Sequence, residues 1–569
     1  MNRLWIRKSQ VREEKIEELS KELNLNSFLT AILIQRGIST FDDAKSFFRP
    51  SLDQLHDPFL LKGMDVAINR IKAAIDKAEK ILVFGDYDVD GTTAVALVFG
   101  FFKTFYQNID YYVPDRYSEG YGVSVEGIQF AEKNNFKLVI TLDLGIKATA
   151  MVSLANEKGI DFIICDHHLP GTSVPSAVSV LDPKQQDCCY PYDELSGCGL
   201  GFKLIQAYSQ RHFPAADIYQ YLDLVCVSIA SDIVPITGEN RILAFHGLKK
   251  LNENPCPGLK ALKEVSGIRN ELDIAGIVFT LGPRINSAGR VAHANAAVSL
   301  LTASTESEAL ELANKLNLKN DLRRSFDSAT TEEALAQIEC DSNQKSKKTT
   351  VLFKETWHKG VIGIVAARCI EKYYRPTVIL TESDGKITGS ARSIEGFDLY
   401  AALLKCSDLF EKFGGHKYAA GLTMDKSKLR EFEARFEEIA AQAISDEMLI
   451  PKILIDQQLD FDAITPKFIN VLKQMAPFGP QNLAPVFESR NVVILNSLSS
   501  LKDRHVRFVA GQQNNTSFFN SIGFDLIHHH DQLKSAAPFR IVYSIEENVY
   551  NGNITIQLKI KDIKFDLSI

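Results

Sequence analysis

The sequence has no run of the roughly 20 apolar residues that a membrane-spanning helix needs, no C-x-x-C pair, no internal repeat and no long low-complexity tract. The first absence excludes a helical membrane protein. The second, with an odd count of nine cysteines, argues against both a thiolate zinc site and a disulfide framework. The N-terminal stretch MNRLWIRKSQVREEKIEEL turns charged where a signal peptide would be apolar, so a cytoplasmic protein without a membrane partner is expected. A basic tail is lacking too. Formal net charge is −7, and residues 450–569 hold 12 Lys and Arg against 11 Asp and Glu, which leaves −8 for the rest. Any nucleic acid would have to be held by local grooves, because an acidic metal site can dominate net charge without describing the surface a strand meets.

What is present begins with KILVFGDYDVDGTTA, residues 80–94, in which Asp86, Asp88 and Asp90 follow an apolar run at alternate positions. Such neighbours repel and require a cation among them. The spacing matches the start of a calcium-binding EF-hand loop, but the twelfth position is Leu97 rather than a bidentate Glu, and Ile81–Phe84 reads as a buried strand rather than a helix. A dinucleotide site fails as well, since the turn lacks Gly-x-Gly-x-x-Gly and would aim carboxylates at a pyrophosphate. A metal site at a strand end remains.

With 569 residues, three or four domains are expected. Residues 1–60 read as a helical N-terminal lead-in. From residue 61 to 295, the apolar runs KILVFGD, IDYYVPD, KLVITLD, DFIICDHH and AVSVLDP alternate with amphipathic stretches, the pattern of an α/β domain with a parallel sheet. Residues 296–345 lack Pro and Gly and predict a long connecting helix. A second, smaller α/β domain follows over 346–449, and 450–569 carry alternating segments of a small β-barrel.

Asp86, Asp143 and Asp166-His167-His168 fall just beyond three strand ends, where open α/β sheets gather their ligands, and Asp232 lies in SDIVPI. An isolated Asp at a strand end often does no more than cap the next helix. A set drawn from four separate element ends suits Mn²⁺ or Mg²⁺, and a bridging carboxylate can hold two ions about 3.5–4 Å apart. Asp166 is expected to orient His167 through a ring N–H.

DYDVDG, the Asp of TLDLG, DHH and SDIVPI resemble the successive motifs of the DHH phosphoesterase superfamily. GPRINSAGR, WHKGVIGIVAARCIEKYYRP, GSARS, FGGHKYAAG and APFGPQNLAPVF extend the resemblance, over nearly the whole chain, to its RecJ family of single-strand-specific 5′→3′ DNA exonucleases. The resemblance implies a DHH domain, a DHHA1 domain and an OB-fold. It implies two divalent ions, Mn²⁺ or Mg²⁺, on Asp86, Asp88, Asp90, Asp143, His167 and Asp232, with Asp143 as the bridge. Asp143, Asp166 and His168 become the catalytic set, His168 facing metal or scissile phosphate. Around the strand's 5′ end it places Arg116, Arg284, Asn286, Arg290, Ser390 and Arg392, with Gly414, Gly415, His416 and Lys417 close to a phosphate. Two departures, Ala391 for a common Gly and Ser287 for the usual Ala, leave every ligand position intact.

Lys502, Arg504 and Arg507, beside Phe508, suit tracking of the strand on the barrel, and an exposed charged strand face is the alternative reading. Trp357-His358 reads as packing, and His528-His529-His530 as a loop. The implied activity is release of 5′-mononucleotides from single-stranded DNA in repair and recombination, by a monomer working beside a helicase and a single-strand-binding protein. The alternatives are a relative that degrades very short oligonucleotides or cyclic dinucleotides, and a non-catalytic single-strand clamp. Residues 450–569 speak against the first, and the intact ligand set against the second.

Overall fold

The computed structural model describes residues 3–291, 294–341, 343, 346–496, 498–513, 515–535, 537–550 and 553–565. The chain forms two compact units, residues 51–449 and residues 1–50 together with 450–569.

Within residues 51–449, the first sheet has five strands in the order Ile109–Tyr112, Lys80–Gly85, Phe136–Leu142, Asp161–Cys165 and Ser179–Leu181. All of its pairings are parallel. Both faces are covered, which is why the strands read as continuous apolar runs. Ile81, Val83, Ile140 and Ile163 point into a core shared with helices Val89–Lys103, Gly197–His212 and Leu222–Ser231. Their neighbours Leu82, Phe84, Val139 and Ile164 point to the opposite face, under helices Val125–Lys133 and Thr149–Glu157. This alternation follows the two-residue period of a strand.

Helix Glu306–Cys340, 35 residues and about 50 Å long, leads to a second sheet. Its order is Lys412–His416, Ala419–Met424, Lys386–Arg392, Thr377–Ser383 and Thr350–Phe353, with only the last pair parallel.

In the other unit, strand Phe487–Ile494 pairs with both Phe539–Tyr550 and His505–Gln512, closing a barrel through Asn553–Phe565 and Phe518–Gly523. The N-terminal lead-in belongs to this unit through residue 50. Strand Leu4–Arg7 lies parallel to Lys452–Ile455, and Leu29, Ile32 and Leu33 share the core of Phe461, Phe487 and Tyr543.

Candidate metal centre and phosphate pocket

The C-terminal ends of the parallel strands converge on one acidic cluster. Asp88 caps helix Val89–Lys103, its Oδ1 accepting from Gly91 N at 3.1 Å. Asp90, in the first turn of the helix, accepts from the backbone N–H of Gly197 and Cys198 and from Ser228 Oγ, each at 2.7 Å. Asp143 follows its strand with φ of 62°, a left-handed conformation that Asp tolerates better than bulky residues, and it reaches His167 Nε2 at 3.0 Å. Asp232 closes helix Leu222–Ser231 and stands 3.6 Å from the same nitrogen, and Asp90 stands at 3.7 Å. A Cβ on Gly197 would come within 2.6 Å of Asp143 Cβ, so only glycine lets that helix start so close.

Ligand atoms of Asp86, Asp88 and Asp143 lie within 4.8 Å of one another, as do those of Asp90, His167 and Asp232, and those of Asp143, His167 and His168. The Asp143–His167 contact joins the first two sets. Among the described residues no Lys or Arg forms an ion pair with these carboxylates, and Asp86 Oδ1 and His167 Nδ1 are buried without a hydrogen-bond partner. Burial first, and then mutual repulsion, drives the carboxyls of Asp86 and Asp143 far above the usual carboxylate range and Asp232 up to about 9. Two overlapping oxygen-rich sets with unbalanced charge fit a pair of hard divalent cations.

Asp166 orients His168, not His167 as the sequence reading had it. Its Oδ1 accepts from His168 Nδ1 at 2.7 Å and from the backbone N–H of His167 and His168, while Oδ2 accepts from Ile146 N. The reason is local: the carboxylate folds back over the turn it begins, and the nearer ring, two residues on, takes its free edge. Burial works against charge on His168, but the Asp166 bond outweighs it and holds the imidazole above its ordinary value. Tyr121, missed in the sequence, places its hydroxyl 3.4 Å from His168 Nε2 and 3.5 Å from the Asp143 carbonyl.

Beside this centre lies a cluster of arginines. Arg392 Nη1 donates to Ser390 Oγ at 3.2 Å, the two residues sharing a face of strand Lys386–Arg392. Arg290 Nη1 donates to Gly360 O at 3.2 Å, and Arg116 lies over the Tyr87 ring. Burial and the charges of Arg116, Arg323 and Arg392 push Arg290 down to about 10, so the guanidinium stays charged at neutral pH at the expense of repulsion that an anion would relieve. His416 stands near enough to Arg392 and His168 to feel both charges, after burial has lowered its basicity.

Three segments of the chain match family descriptions: DHH family, N-terminal domain, over residues 80–229, DHHA1 domain over 346–442, and RecJ OB domain over 455–562. The chain is 34% identical to the single-stranded-DNA-specific exonuclease RecJ of Bacillus subtilis over 97% of its own length and 69% of that protein. Against RecJ of Escherichia coli it is 30% identical, covering 97% and 99%. The chain belongs to the RecJ family. RecJ of Thermus thermophilus in complex with Mn²⁺ superposes with a TM-score of 0.84 at 26% identity, covering all of this chain and 80% of that one, and its Mg²⁺ complex scores 0.79 at 25% identity, covering 99% and 79%.

Other residues read from the RecJ resemblance fall in different places. Arg284 sits apart from the arginine cluster's centre, donating to Asn317 Oδ1 at 2.9 Å and to Thr280 O at 2.8 Å. Asn286 lines a cavity of about 250 Å³ with Arg290. Gly414, Gly415 and His416 end strand Lys412–His416, paired with Gly421, Ala420 and Ala419, and Lys417 lies in the turn that leads to Ala419–Met424. Ser287 is buried with its hydroxyl donating to Arg284 O at 2.6 Å, and Trp357 is buried with His358 stacked on Phe326. On the barrel, Lys502 occupies the turn before strand His505–Gln512, Arg504 pairs with Asp525, and Arg507 is exposed. Phe508, the aromatic beside them, is in the barrel core, because the strand alternates and its even positions point inward. His528-His529-His530 spans a short 3₁₀ turn and the start of a short helix.

Proposed function

We propose that this chain is a divalent-metal-dependent exonuclease that hydrolyses single-stranded DNA from its 5′ end to 5′-mononucleotides. The observation that carries this reading is the adjacency, in one unit, of two overlapping Asp/His ligand sets and a cluster of arginines in which Arg116, Arg290 and Arg392 form no ion pair among the described residues. Asp86, Asp88 and Asp143 would hold one ion and Asp90, His167 and Asp232 the other, with Asp143 between them. When bound, the ions supply Lewis acidity at the scissile phosphate and lower the pKa of an attacking water.

The protein's own groups do the positioning. Arg116, Ser390 and Arg392 grip the 5′-phosphate, since a guanidinium fork pairs two phosphate oxygens. Arg290 reinforces their charge from behind. Asp166 fixes His168 with Nδ1–H donating to the carboxylate, which leaves Nε2, 3.4 Å from the Tyr121 hydroxyl, as the nitrogen to meet a phosphate oxygen. Cleavage breaks the bond from phosphorus to the 3′-oxygen of the terminal nucleotide, which leaves with a proton as a 3′-hydroxyl. The phosphate stays on the shortened strand. Each cycle thereby regenerates the end that the arginines read. Backbone contacts of this kind tolerate any sequence, and the barrel would hold the strand further along. A 5′-ended single strand is what unwinding produces, so a cytoplasmic helicase and a single-strand-binding protein are the partners this reading expects.

The test is end discrimination. Arg392→Ala should lower kcat/KM on 5′-phosphorylated strands by about 10- to 150-fold, the worth of a charge-assisted contact of about 1.5–3 kcal/mol, and narrow the gap to 5′-hydroxyl strands. An equal loss on both substrates would assign Arg392 to general backbone binding.

A further inference from the structure

The 250 Å³ cavity is lined by Ser231, Gly282, Asn286, Arg290, Arg323 and Ile364. It adjoins the metal centre through Ser231, which precedes Asp232, and the arginine cluster through Arg290. Two of its polar groups are idle: Ser231 Oγ and Arg323 Nε are shielded from solvent and make no hydrogen bond. Gly282 keeps the space open, since a Cβ there would lie 3.0 Å from Ser231 Oγ. Arg323 projects from the long helix and donates through Nη2 to Asn320 Oδ1 at 3.0 Å. The acid one turn on, Asp327, is engaged at 2.8 Å by Arg368. Arg116, Ser390 and Arg392 are not among the residues that line the cavity.

We infer that this cavity is a second phosphate subsite, with Arg323 as its principal donor and Ser231 and Asn286 completing the shell. It is distinct from the pocket of Arg116, Ser390 and Arg392. A guanidinium with a free Nε, a hydroxyl and an amide around a cavity roomy enough for a phosphate and its waters form a set of donors suited to a phosphoryl group. The phosphoryl group is either that of a released 5′-mononucleotide or one belonging to the bound strand. The inference extends the proposed exonuclease reading, but its binding arm does not need catalysis.

Inorganic phosphate and 5′-dTMP are titrated calorimetrically into the full-length protein in EDTA, as wild type, Arg392→Ala, Arg323→Ala and the double variant. Arg392→Ala should retain a phosphate-binding event that the double variant loses, with Arg323→Ala alone weakening it at least about 10-fold and Arg323→Lys by less. Loss of all phosphate binding in Arg392→Ala, or binding within twofold of wild type in Arg323→Ala, overturns the second subsite. Steady-state kinetics separate the two sources. A higher Ki for 5′-dTMP with unchanged KM for the strand assigns the cavity to the product, and a raised KM assigns it to the strand. No change in either constant overturns a role in turnover.

Discussion

Substituting Gly363 with alanine separates end recognition from stability. Gly363 occupies the first turn of helix Ile362–Tyr373, where a Cβ would come 2.8 Å from Ser390 Oγ and 3.0 Å from Arg392 Nη2. The first distance is roughly half an ångström or more inside ordinary contact, so Ser390 must rotate away and Arg392 must yield at its flexible tip. Their mutual hydrogen bond at 3.2 Å goes with that shift. A displaced charge-assisted contact of about 1.5–3 kcal/mol corresponds to roughly 10- to 150-fold in kcat/KM on 5′-phosphorylated strands. The fold should not suffer: the helix gains up to about 1 kcal/mol from the better helix former, and the crowded atoms line a pocket rather than a core. The assay pairs thermal melting with kinetics on strands that differ only in the 5′-phosphate. An unchanged Tm with a selective loss on the phosphorylated strand is expected. Wild-type discrimination in Gly363→Ala would refute the claim that Ser390 and Arg392 act in the pose seen here.

Asp143→Ala, which removes the carboxylate joining the two ligand sets, should lose at least about 10³ in rate while circular dichroism and Tm report a folded protein. Asp232 is raised to about 9, and burial with mutual repulsion holds Asp86 and Asp143 well above the usual carboxylate range as well. Carboxyls raised on folding favour the native state at low pH and weaken it as pH rises through their folded values, so Mn²⁺ should raise Tm more at pH 8 than at pH 6, a trend read directly by melting with and without the ion. Removing residues 450–569 alone exposes Leu29, Ile32 and Leu33, whose core partners lie there, and should give an aggregating protein. A chain of residues 51–449 should stay soluble, cleave short strands and show a raised KM for long ones, as gel filtration and kinetics would register.

The catalytic domain was legible because its chemistry sits at strand ends. Apolar runs that stop at Asp86, Asp143 and Asp166 announce both the parallel sheet and the face on which ligands gather. The RecJ-like motif singles out Ser390 and Arg392, and the strand's two-residue period places them on one face. What escaped depends on contacts made far along the chain. Arg323 is one of many charged residues on a helix with little apolar patterning, and only its packing against the helix of Asn286 and Arg290 gives it a cavity to line. Tyr121 lies in a glycine-flanked loop whose path to His168 no local pattern encodes. The choice between His167 and His168 for Asp166 rests on which ring the turn brings round. The pairing of Leu4–Arg7 with Lys452–Ile455 joins segments about 450 positions apart, beyond any periodicity argument.

The most direct test is digestion of a 3′-labelled linear single strand beside a circular strand of the same sequence, with Mn²⁺ or with EDTA. The account predicts a labelled ladder that shortens from the 5′ end only when Mn²⁺ is present, 5′-mononucleotides as the product, and an untouched circle. Cleavage of the circle, early release of the 3′ label, or digestion that persists in EDTA would contradict it.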